Sequence, residues 1–281
     1  MEDSYARTLW TAIEPVHVVT YFSPECVQAH KDVGLKGYWM GYFGGRAAPM
    51  GPVSAGVIDA TFYGFEPERV RRAVPDAWSF ASPRDILRTR EAAAVQALRR
   101  LAPAVDDIAP KAAPLLREVV EAAEGPGRPL FCANRDLPVP DDAVAALWLA
   151  ATALREHRGE GHLMILTAEG VSGPEANVLS AAVAGDGFDL IPLSRGWTAE
   201  DLRATVARLA GRGLLNADGT ATEEGRAFRR RIEDRTDALA APPYRVLDDP
   251  EELFALLEPV ARAVMDSGEI PFPNPMGLSR D

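Results

Sequence analysis

A short stretch near the start of the chain gathers His17, Tyr21, Phe22, Tyr38, Trp39, Tyr42, Phe43 and Arg46. Aromatic residues make up only 7% of the whole, so this density sets the stretch apart. His17 and Tyr21 are four residues apart and share one face of a helix. Gly41, Gly44 and Gly45 leave little side-chain bulk beside the rings. One reading is a pocket lined by rings, with Arg46 pairing an anionic group of a ligand and His17 giving or taking a proton. The other is an aromatic core that joins helix to helix. A second stretch, Arg155-Glu156-His157-Arg158-Gly159-Glu160-Gly161-His162, brings two histidines close to a glutamate. Such a set can hold a metal, but the spacing is not the His-Glu-x-x-His of a zincin helix. Polar residues capping a helix C-terminus are the other reading, since the helix dipole favours histidine there. No metal is assigned. The candidate ligand-binding residues are therefore His17, Tyr21, Tyr38, Trp39, Tyr42, Arg46, His157 and His162. The chain has no Gly-rich phosphate loop, Ser-His-Asp pattern or dinucleotide fingerprint, so neither a cofactor nor a catalytic residue is assigned.

Composition sets wide bounds on what holds these residues. At 281 residues and 47% hydrophobic content the chain can bury a full core, and its length suggests about two domains. No apolar run reaches the roughly 20 residues needed to cross a bilayer. Met1-Glu2-Asp3-Ser4 lacks the basic start and apolar block of a signal peptide. Cys26 and Cys132 are too few for a disulfide framework and read as packing residues. A cytoplasmic location with reduced thiols is expected. The net charge of −11 opposes broad attraction to DNA. The basic residues are nearly all Arg, however, and they cluster at 226–235 and again at 69–90.

Those two clusters are part of a wider pattern. Leu9-Trp10 is echoed by Leu147-Trp148, Gly37-Tyr38-Trp39-Met40 by Gly161-His162-Leu163-Met164, and Gly51-Pro52 by Gly173-Pro174. Phe65-Glu66-Pro67-Glu68 corresponds to Trp197-Thr198-Ala199-Glu200, and Thr89-Arg90-Glu91 to Thr222-Glu223-Glu224. Leu115-Leu116 with Phe131 and Leu137 corresponds to Leu256-Leu257 with Phe272 and Leu278. The matches keep their order while their spacing drifts between 122 and 141 residues, as loop insertions would produce. A tandem duplication, 1–140 and 141–281, is expected. Two similar units in one chain imitate a two-fold dimer, and a binding site is expected between them. If the copies face each other a monomer suffices; if they face outward, a homodimer is expected.

The pattern is mainly helical. Residues 1 to about 30 read as helix with a loop at Ser23-Pro24-Glu25, and Ser82 caps a helix reaching about Leu101. Pro103, Pro110 and Pro114 are expected to bound short pieces. Pro129, Pro138 and Pro140 are expected to keep 128–140 an extended arm. Asp141-Asp142 caps a helix running to about His157, where Arg158-Gly159-Glu160-Gly161 is expected to break it. Thr198 caps the next clear helix, whose Leu202, Val206 and Leu209 follow at helical spacing. Leu214-Leu215 and Thr220-Ala221 read as short strands around an Asn216-Ala217-Asp218-Gly219 turn, and Thr222 opens a long helix. Ile270-Pro271-Phe272-Pro273-Asn274-Pro275-Met276-Gly277-Leu278 is apolar enough to lie across the body of the protein and help close the cleft.

Arg208-Leu209-Ala210-Gly211-Arg212-Gly213-Leu214-Leu215, followed by Ala221-Thr222-Glu223-Glu224-Gly225-Arg226, resembles the winged helix-turn-helix of MarR-type regulators. The likeness covers about residues 163–240. The whole chain also looks like an actinobacterial group of helix-turn-helix proteins, a resemblance that implies a fold and no particular chemistry. It implies a first winged-helix-like lobe over 1–140, with its wing shrunk to Pro75-Asp76-Ala77-Trp78-Ser79-Phe80. It implies a second lobe over 141–281 with a small β-wing. In the second lobe the wing is short and acidic, and the reading helix offers only Arg203 and Arg208. Duplex DNA reading is accordingly expected to be weakened or lost. The leading expectation is a small-molecule-binding regulator or sensor with its ligand between the lobes. The alternatives are an enzyme of secondary metabolism that uses the same pocket, and a plain repressor.

Overall fold

Fifteen α-helices build the fold among the described residues, 2–274 and 276–278 of the computed structural model. The first seven are α1 (Glu2–Phe22), α2 (Pro24–Asp32), α3 (Gly37–Ala47), α4 (Ala55–Phe62), α5 (Pro67–Arg71), α6 (Ala77–Phe80) and α7 (Pro83–Leu101). Then come α8 (Val105–Ala122), α9 (Pro129–Arg135), α10 (Ala143–Ala168) and α11 (Gly173–Ala184). The last are α12 (Leu190–Arg195), α13 (Ala199–Gly211), α14 (Glu223–Ala240) and α15 (Pro250–Asp266). No helix among the described residues is long and apolar enough to cross a membrane.

Three apolar clusters organise these helices. The largest joins α1, α7, α8, α15 and the first half of α10, and buries Leu9, Ile13, Leu98, Leu116 and Trp148. The second lies under α3 to α6 and is built on Phe43, Ile58, Phe62 and Phe65. The third lies under α11 to α14 and takes Ile165 and Leu166 from the last turns of α10. α10 thus passes from the central bundle into the last lobe, and α14 spans the same two clusters in the opposite sense.

Four local expectations need correction. α10 does not break at Gly159 and Gly161 but runs on to Ala168. Two interior glycines cost about 1 kcal/mol each, and tertiary bonds from the same turns outweigh that. Arg158 pairs with Asp237 at 2.7 Å, and Glu160 accepts the Leu130 and Phe131 amides at 2.9 Å each. α8 is continuous through Pro110 and Pro114, because both rings sit on its exposed side rather than against the core. Residues 129–135 are helical, not extended: Pro129 stands in the first turn, where no N–H is needed, and Glu160 caps the next two amides from another helix. The expected β-wing is not present. Among the described residues there is no strand, only one antiparallel bridge, Leu215 to Ala221. Asp218 draws in the Thr220 amide at 2.9 Å and Thr222 caps α14 at once through the Gly225 amide, so no length is left for a ladder.

Other expectations hold. Ser82, Asp142, Thr198 and Thr222 all cap helices through their side chains. Ile270 and Leu278 are buried in the central cluster, so the last segment lies on the body; its Pro275 falls outside the described residues. In place of the shrunken first wing is the short α6, whose Trp78 donates to the Val53 carbonyl at 2.8 Å.

The helical lobes dock on each other through backbone groups. The Gly64 carbonyl accepts from Asn177 at 2.8 Å and from the Trp197 indole at 3.0 Å. The Glu66 amide donates to the Arg195 carbonyl at 2.9 Å, and Arg69 donates to the Pro192 carbonyl at 3.0 Å. Tyr63, at φ 54, donates its hydroxyl to the Val171 carbonyl. A Cβ on Gly173 would stand 2.3 Å from the Tyr63 carbonyl oxygen. Gly173→Ala should therefore cost about 1–3 kcal/mol, read from the urea midpoint. Gly211→Ala, where a Cβ meets nothing within 4 Å, should be neutral or better.

Candidate functional site

The seam between the two halves of the chain is polar at its centre. Glu14, His17, Thr20 and Tyr21 face it from α1, His30 from α2, Tyr42 and Arg46 from α3, and Arg90 from α7. Asn134 of α9 and Thr152, Arg155 and Glu156 of α10 complete it. Arg46 holds Glu156 in a two-pronged bond, Nε to Oε1 and Nη2 to Oε2, both 2.8 Å. Arg155 reaches the same carboxylate at 3.1 Å and Glu14 at 3.3 Å. Burial would raise the pKa of Glu156, but Arg46 and Arg155 outweigh it and hold this carboxyl well below the usual range. The anion that Arg46 pairs is thus the protein's own.

His17 is 2% exposed and bridges the halves, with Nδ1 2.9 Å from Thr152 Oγ1 and Nε2 2.9 Å from the Tyr21 hydroxyl. Burial, reinforced by Arg155, pushes its pKa well below 6.5, so the ring is neutral. Burial also drives the Tyr21 phenol far up. Tyr42 stacks near Tyr21 and receives Arg46 at 3.3 Å. Arg90 differs from its neighbours. Its fork goes to the Gly45 carbonyl at 2.7 Å and Asn134 Oδ1 at 3.1 Å, and no carboxylate meets it. Burial brings its pKa down to about 10.

Of the residues expected from the sequence, His17, Tyr21, Tyr42 and Arg46 come together here. Trp39 belongs to the neighbouring ring stack with Phe43 and Phe65, and Tyr38 sits at its exposed edge. His157 turns the other way, edge-on to Phe131, and burial pushes its pKa down to about 3. His162 bonds Thr236 at 2.9 Å on the far side of α10. Among the described residues no group of His, Cys, Asp or Glu is placed to hold a metal. His30, Arg90, Asn134, Thr152, Arg155 and Glu156 join the site without having been singled out for it. Arg90 carried a signal: it interrupts an otherwise apolar face, Ile86, Arg90, Ala94 and Ala97, at helical spacing.

Beside this centre, between α8 and α10, runs an apolar groove of about 230 Å³ walled by Ala113, Pro114, Val139, Ala146, Leu149 and Ala150. Arg117 and Arg135 stand at its mouth. Asn134 lines both the groove and the polar centre.

In the two lobes α4 meets α5 and α11 meets α13. The model of a helix-turn-helix family matches residues 6–271, and the chain belongs to that family. Such membership suggests a DNA-binding regulator kind of role. No curated protein and no solved structure matches the chain.

The buried groups make stability depend on pH. His30 and His162 titrate near 4 and His157 near 3, each lowered first by burial, and His17 is lowered as well. The unfolded chain takes up these protons near pH 6.5, so stability is full above that value and falls as pH drops toward 4. Glu160, raised to about 7 by burial, works the other way, adding stability at low pH that is lost as pH rises through 7. Four histidines outweigh one glutamate, so unfolding between pH 5 and 6 should take up more than one proton per molecule, measured from the slope of the stability–pH curve. Glu156→Gln leaves Arg46 without its carboxylate and Arg155 with Glu14 alone. It should cost about 3–5 kcal/mol, read by urea denaturation at pH 7.

Proposed function

We propose that the chain is a small-molecule-responsive regulator, a tandem MarR-like protein whose wings are cut down to turns and whose ligand lies between its two repeated lobes. Support for the repeat lies in the order of elements. α4, α5, α7 and α8 in the first half run parallel in sequence to α11, α13, α14 and α15 in the second. The two lobes are unequal. α5 is docked on α12, with Arg69 committed to backbone carbonyls there, whereas α13 keeps Arg203 and Arg208 on its exposed side. DNA contact, on this reading, falls to α13 alone.

The observation that carries the ligand response is the continuity of α10. Its first turns, Ala143 to Ala153, form one wall of the groove, and its last turns, Ile165 and Leu166, enter the cluster beneath α13. A ligand that wedges α8 from α10 acts on a rigid rod whose far end supports the reading helix. The groove offers an apolar body its place, with His17, Tyr21, Tyr42 and Arg46 forming the polar wall behind Asn134.

Fluorescence anisotropy with duplex DNA at low salt tests the regulator. Affinity should fall as salt rises, because phosphate contacts release counterions, and Arg203→Glu should abolish it. Absence of binding even at low salt would remove this reading. A metabolite screen by thermal shift should find apolar ligands that raise the melting temperature, and Ala150→Phe, which fills the groove, should erase their effect while the protein stays folded. A hit that is consumed on incubation would point instead to an enzyme.

A further inference from the structure

Arg90 and His30 are both more than nine-tenths buried, and each keeps one nitrogen, Arg90 Nε and His30 Nε2, without a hydrogen-bond partner among the described residues. Leaving a buried polar atom unpaired costs about 1–3 kcal/mol, and two such atoms at one place call for an explanation. Both residues line the closed cavity at the polar centre, whose volume of about 10 Å³ admits one water-sized particle. His30 is pressed onto α3 at Gly41 and Gly45, where a Cβ would stand 2.9 Å and 2.7 Å from its ring nitrogens. Arg90 is anchored on the carbonyl of the same Gly45. The two glycines therefore let the histidine and the arginine converge.

Charge decides what fits between them. Among the described residues the centre holds four guanidinium groups, Arg46, Arg90, Arg155 and Arg195, the last bonded to Tyr42, against two buried carboxylates, Glu14 and Glu156. Both carboxylates are taken by Arg46 and Arg155, and Arg90, which feels Glu156 and Glu91 only at a distance, forms no ion pair among the described residues. The Trp148 ring, 5.3 Å from its Cζ, offsets that charge only in part. Glu160 faces the first amides of α9 and forms no ion pair with Arg90 among the described residues. A neutral water would satisfy the donors and leave the charge; a monovalent anion would satisfy both. His30 in its Nε2–H form and Arg90 Nε–H are both donors. Tyr42, whose hydroxyl oxygen already accepts from Arg46, has its own proton to give.

We propose that this cavity is a binding site for one small monovalent anion of halide size, held by Arg90 Nε and His30 Nε2 at the seam of α2, α3, α7, α9 and α10. The site stands whether or not α13 reads DNA, and it differs from the apolar groove in both place and ligand chemistry.

Thermal unfolding in potassium chloride, bromide and gluconate at matched ionic strength tests it. Chloride and bromide should raise the melting temperature of the wild type by several degrees with a logarithmic dependence on concentration, and gluconate, too large to enter, should not. Arg90→Met should lose the halide dependence. If that variant fails to fold, His30→Leu serves the same purpose. Crystals of the wild type grown in bromide should show an anomalous peak between Arg90 and His30, which requires no variant. Formate, tried in parallel, distinguishes a site for any small monovalent anion from one for halides alone. Equal melting temperatures in chloride and gluconate, or bromide peaks confined to the surface, would overturn the proposal.

Discussion

The ion-pair chain from Glu14 through Arg155 and Glu156 to Arg46 is the constraint on which the rest of the structure depends. The two outer links join one half of the chain to the other, the middle one lies within α10, and both carboxylates are buried. Charges taken out of water are tolerable only when every partner is present in good geometry. That condition fixes α1, α3 and α10 relative to one another more tightly than apolar contact could, because apolar surfaces slide and a two-pronged carboxylate bond does not. The ring stack of α3 and α4 and the bridge from His17 to Thr152 form around this frame.

Much of the secondary structure was legible because its signals are local. Caps such as Thr198 and Thr222 need only the amides of their own first turn. What could not be read was any helix whose continuity depends on distant groups. Gly159 and Gly161 look like a break until Asp237, from α14, and the α9 amides are in place. Pro129 looks like the start of an extended arm until Glu160 supplies the missing acceptor. The wing failed for the opposite reason: Asn216 to Thr220 satisfies itself within five residues, and the sequence pattern carries no measure of ladder length.

The site was half legible. Ring density marked α3, and four of the expected residues converge. Histidine identity alone misled, because His157 and His162 project from other faces of α10 than Glu156. A helix turns about 100° per residue, so neighbours in sequence do not share surroundings. Thr152 and Asn134 are ordinary in sequence and acquire meaning only from partners more than forty positions away.

The docking of α5 onto α12 has a geometric corollary. Paired helix-turn-helix proteins meet two half-sites about one turn of duplex apart, and the symmetry of the operator mirrors that of the protein. Here α5 is turned inward and held by carbonyls of its own chain. On the function proposed above, a single molecule then presents one reader, suited to an asymmetric stretch within one turn of the major groove, and an inverted repeat calls for two chains.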